Sequence, residues 1–169
     1  MTKLSSIKKT IKNKAEKIFF LLLVLASTIN LSAEIINSDC NNQIFFVSPV
    51  DGFISEKQEI FFEFGTRNIS IDPAGKIPSE SINACFVSGH HHLIINGVYE
   101  PSKGGSIPFK NNIFHFGGGQ TSAAISLDPG KYSLQLVLGD YMHIPINLGA
   151  GATEDHFITS KKIFIEVLN

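Results

Sequence analysis

From Gln43 onward, apolar side chains recur in short alternating or continuous runs bounded by Gly, Pro, Asn and Asp. None keeps a helical period long enough to require a helix. The pattern predicts an all-β chain with candidate strands at Gln43–Ser48, Glu59–Phe64, His91–Asn96, Asn112–Phe116, Thr121–Leu127, Tyr132–Leu138 and Lys162–Val167. About seven such strands make a small immunoglobulin-like antiparallel β-sandwich. Turn chemistry agrees. Leu127-Asp128-Pro129-Gly130-Lys131 leads into the alternating Tyr132, Leu134, Leu136 and Leu138. This has the form of a tyrosine corner, in which the phenol at the start of the sixth strand bonds back to the preceding turn. Leu134 stands where an antibody domain has a cysteine, so no inter-sheet disulfide is expected.

The pattern at the N-terminus is different. Lys3, Lys8, Lys9, Lys12, Lys14 and Lys17, against Glu16 alone, precede an apolar run from Ile18 to about Ile29. About 12 residues is short of the roughly 20 that cross a bilayer as a helix. Leu31-Ser32-Ala33 then offers a small-residue cleavage site, so residues 1–33 read as a signal peptide and residues 34–169 as one mature domain in the periplasm or secreted. Removing that segment takes six of the 14 Lys and Arg and one of the 15 Asp and Glu. The 8 basic and 14 acidic side chains left give a net charge of −6, which disfavours nucleic acid as a partner. Both cysteines, Cys40 and Cys85, lie in the exported part, where an oxidising compartment favours a disulfide over a redox pair.

The chemistry-bearing residues are the histidines. His90, His91 and His92 open the third candidate strand; His115 precedes Gly117-Gly118-Gly119 and His143 follows Gly139-Asp140-Tyr141-Met142. Alternation puts His90 and His92 on one face, roughly 6.6 Å apart at ~3.3 Å per residue, which suits chelation of one ion. His91 points the other way with Leu93 and Ile95, as a core histidine bonded to backbone. With strands labelled in chain order, the loops bearing His115 and His143 emerge at the same pole as the start of the third strand, and so do Cys40 and Cys85. The expected metal ligands are therefore His90, His92, His115 and His143, for copper or zinc. His91, Gln120, Asp140 and Met142 are the expected supporting residues. Asp140 would orient an imidazole or serve as a turn residue; a Met142 thioether ligand would favour copper. His156 reads as a solvated loop residue.

These segments, Gly89–Ile95, His115–Thr121, Pro129–Asp140 and His143–Pro145, resemble the pattern of an exported bacterial family, domain of unknown function 4399. The pattern is Gly-His-His-His-Leu-Leu-Ile, His-Phe-Gly-x-Gly-Gln-Thr, Pro-Gly-x-x-x-Leu-Gln-Leu-x-Leu-Gly-Asp and His-x-Pro, and the resemblance covers roughly residues 45–167. A further His-Asp-Pro-Pro stretch common in the family is replaced here by Ile146-Asn147-Leu148-Gly149-Ala150. The resemblance implies a periplasmic domain and treats the three histidine segments as one unit, with no activity attached.

The leading expectation is an exported metal-binding protein. The alternative is an interaction module that recognises a cell-envelope partner through the same loops. An enzyme is the third reading, because neither a Gly-x-Ser-x-Gly elbow nor paired carboxylates accompany the histidines.

Overall fold

A computed structural model describes residues 40–78, 85–97, 99–101, 105–149 and 155–169. The signal peptide and cleavage site expected within residues 1–33 lie outside the described residues.

Nine strands form two sheets and no helix occurs among the described residues. They are β1 (Gln43–Ser48), β2 (Phe53–Ser55), β3 (Glu59–Arg67), β4 (Ile69–Ile71), β5 (Val87–Ile95), β6 (Ile113–His115), β7 (Ser122–Ser126), β8 (Gly130–Gly139) and β9 (Ile163–Val167). The smaller sheet has the order β1-β3-β7; the larger has β2-β9-β8-β5-β4, with β6 also paired to β5. This is the all-β sandwich that the hydrophobic pattern predicts. Two details differ: β2 and β4 are additional three-residue strands, and each pairs parallel, β2 with β9 and β4 with β5. Runs that short carry too little alternation to be read as strands, and both take their partners from distant sequence.

Inward-facing residues of both sheets, among them Phe62, Phe64, Leu93, Ile95, Leu134, Leu136 and Ile165, make one continuous core. The tyrosine corner is present: Tyr132 Oη donates to the Asp128 carbonyl at 2.6 Å. Cys40 and Cys85 form a disulfide that ties the chain ahead of β1 to the chain ahead of β5.

β5 carries the triple histidine and is the most enclosed strand of the larger sheet. It begins at Val87, four residues before the strand expected at His91, because β4 pairs Ile69–Ile71 with Val87–Gly89. Its remaining length on that edge is taken by β6, through His92–His115, Leu93–Phe114 and Ile94–Ile113, while β8 pairs with His90–Ile95 along the other edge. All nine of its residues are buried. A strand covered on both faces does not alternate in polarity. The inner face rests on the core. The outer face is covered by the chain leading to β6, where Ile107 packs on Ile94 and Val137 in a second apolar cluster flanked by Tyr99 and Ile113.

Candidate metal centre

His90 and His92 project from the outer face of β5, at 0% and 2% exposure. Successive strand residues alternate, so His91 projects inward, its ring 5.2 Å from that of Phe64. His115 reaches the site across the ladder, because the β5–β6 register sets it directly opposite His92, and the two rings stack at 4.9 Å and 29°. His143 arrives from the turn that follows β8, whose last residue, Gly139, pairs with His90. The site therefore lies on the outer face of the larger sheet, near the end where β8 turns. The loop pole expected from strand order is only part of it. Direct β5–β6 pairing supplies the rest, and strand order alone does not reveal that pairing.

The four rings converge. His115 Nε2 lies 3.0 Å from His90 Nε2 and 2.8 Å from His143 Nε2. One ring nitrogen from each of His90, His92, His115 and His143 falls within 4.8 Å of the others. A neutral imidazole nitrogen offers either one N–H or one in-plane lone pair. His115 Nε2 has two nitrogens at hydrogen-bonding distance and can make one good bond with them. Such crowding is poor hydrogen bonding and suitable ligand geometry. The cluster could hold a metal ion.

Space for the rings comes from glycine. A Cβ at Gly139 would lie 2.7 Å from His92 Cε1, well inside contact distance, and one at Gly117 would overlap the His115 ring. Gly119 has φ +78°, which closes the glycine turn against Pro73. His143 itself adopts φ +66°, a left-handed conformation that costs a side-chain-bearing residue about 1 kcal/mol. Its turn is held from several sides. Asp140 Oδ1 accepts from the Met142 and Ile144 amides at 2.8 and 2.9 Å, the Asp140 carbonyl accepts from the His143 amide, and the His143 carbonyl accepts from the Ile107 amide at 2.7 Å. The segment after β4 links both histidine turns: the Ala74 amide donates to the Gly117 carbonyl, and the Gly75 amide to that of Tyr141.

Burial favours the neutral form of His90, His92 and His115. It pushes His90 down to about 4, assisted by the charges that His115, His143 and His91 would carry, and His92 down to about 3. Burial also lowers His115, with His143 adding to the effect. Neutral imidazole is the form that binds a metal.

The expected supporting residues fall differently. Asp140 serves its own turn and makes no hydrogen bond to an imidazole, so its influence reaches the site through the position of His143. Gln120 Oε1 accepts from the Gly118 amide and shapes the glycine turn. Met142 is half exposed. His91 is pushed down to about 4 by the same desolvation, which the Gln120 backbone beside its ring partly offsets. His156 is exposed, as expected. Phe109 is the residue that sequence reasoning misses: 79% exposed, its ring stands 5.7 Å from both His115 and His143. An isolated aromatic in a polar loop gives no periodic signal.

Fold and site together define an all-β sandwich carrying a four-histidine cluster, buried at His90 and His92, that could hold a metal ion. Within that class the chain belongs to the family described as a domain of unknown function, DUF4399, which matches residues 62–167 and so includes every histidine of the cluster. No curated protein and no solved structure matches the chain.

Proposed function

We propose that this protein is an exported binding protein that holds one transition-metal ion, copper or zinc, through His90, His92, His115 and His143. The observation that carries the proposal is the convergence of four ring nitrogens within 4.8 Å, two of the rings being almost fully buried. Imidazole donors suit both ions. Ligands at ~2.0–2.1 Å from one centre must lie within about 4 Å of each other, and the cluster needs only small adjustment to meet that. Export is supported by the Cys40–Cys85 disulfide, a bond rare in reducing compartments. Among the described residues no helix is long and apolar enough to cross a membrane.

The test is calorimetric titration of the purified protein with copper(II) and with zinc(II), beside His92→Ala and His143→Ala. The parent is expected to bind one ion with sub-micromolar Kd, and each variant to lose at least tenfold. Absence of binding above micromolar strength by the parent rejects the proposal. A partner from the cell envelope captured equally by parent and metal-stripped protein would support the interaction-module reading in its place.

A further inference from the structure

We infer that a divalent ion in this site takes a small anion as an additional ligand, on the side that Phe109 covers. The inference rests on the metal-binding reading and adds the chemical class of what the loaded site would bind. Its basis is charge. Four neutral imidazoles contribute no negative charge, and no carboxylate or thiolate joins the cluster among the described residues.

Asp140 and Asp72, on the neighbouring segments, are committed elsewhere. Asp140 Oδ1 accepts from two backbone amides of its own turn. Asp72 is bonded to Ser70, Ser88 and Lys76, whose ammonium offsets its charge. Among the described residues, the charges that act on the rings of His90, His92 and His115 are those of other histidines. A dication here would thus bring two positive charges into a partly dehydrated site with no counter-charge among the described residues. Burying uncompensated charge is costly. Metal sites that include carboxylates or thiolates neutralise the ion internally; this one must draw an anion from solution.

The burial pattern sets the direction of approach. His90 and His92 lie against the sheet with almost no exposure, whereas His115 and His143 are only partly buried. The solvent-facing side of the cluster is therefore theirs. Over it stands the Phe109 ring, 5.7 Å from each. An apolar ring so near obstructs a bulky anion more than a compact one. Azide is a suitable probe, and benzoate a bulky comparison.

Copper(II) would be loaded from its sulfate in a non-coordinating buffer, and azide added while the copper paramagnetic resonance and visible spectra are followed. The expected result is a spectral change that saturates at one azide per copper, with no calorimetric azide binding by metal-free protein. Bound copper whose spectra do not respond to excess azide overturns the inference and leaves the metal-binding reading intact. Failure to bind copper removes both. Phe109→Ala is expected to strengthen benzoate binding at least tenfold relative to azide. An unchanged preference overturns the assignment of the anion to the Phe109 side.

Discussion

At Gly139 and Gly117 the missing side chain is what the site requires. A methyl group at either position meets an imidazole of the cluster: His92 in one case, His115 in the other. Gly139→Ala and Gly117→Ala are expected to weaken metal binding by roughly tenfold or more, about 1.4 kcal/mol, in calorimetric titration. Their circular dichroism should remain that of the parent. The buried histidines also link stability to pH in the metal-free protein. His90 and His91 are held down to about 4 and His92 to about 3 by burial, against about 6.5 in an unfolded chain. Between those values the unfolded chain binds protons that the folded protein does not, so stability rises with pH there. It is expected to be full above pH 6.5 and to fall as pH drops from 6.5 through about 4, by roughly 1 kcal/mol per pH unit for each ring. Urea denaturation in the presence of a chelator measures this; a flat profile over that range contradicts it.

At the level of elements, what is legible in the sequence and what is not follow from the range of the interactions involved. Strands with six or more alternating residues, such as Gln43–Ser48 and the run after Tyr132, announce themselves locally. So does the tyrosine corner, whose donor and acceptor are four residues apart. Tyr132→Phe is expected to cost about 1 kcal/mol in urea denaturation, the net worth of one hydrogen bond, and to leave metal affinity unchanged. The same locality makes the split of the triple histidine readable, since alternation alone turns His91 away from His90 and His92. The pairing of β6 with β5 is different. Phe114-His115-Phe116 alternates equally well against any partner, and its register opposite His92 depends on a connection that folds Ile107 under the outer cluster. β4 is silent for a related reason: Ile69-Ser70-Ile71 is too short to signal, yet its pairing moves the start of β5 back to Val87. The histidines consequently sit inside a strand with both neighbours in place, more rigid than a loop entry.

For the whole molecule, the disulfide is the longest-range covalent constraint. It closes a loop over a sequence separation of 45, for which chain entropy predicts about 4 kcal/mol of stabilisation. Replacing both Cys40 and Cys85 by Ser is expected to lower urea-denaturation stability by roughly that amount. A loss under about 1 kcal/mol would show that the unfolded chain is already compact there. The three adjacent histidines also give the molecule a folding problem of its own. Displacement of β5 by a single position would exchange its faces. His91 would come outward in place of His90 and His92, which would enter the core, while Leu93 would lose its place there. The slipped arrangement still presents one imidazole to the site, so metal opposes the slip only by the loss of a single ligand. Covalent anchorage two residues ahead of β5, and the fit of His92 beside Gly139, discriminate against the decoy before any ion is taken up.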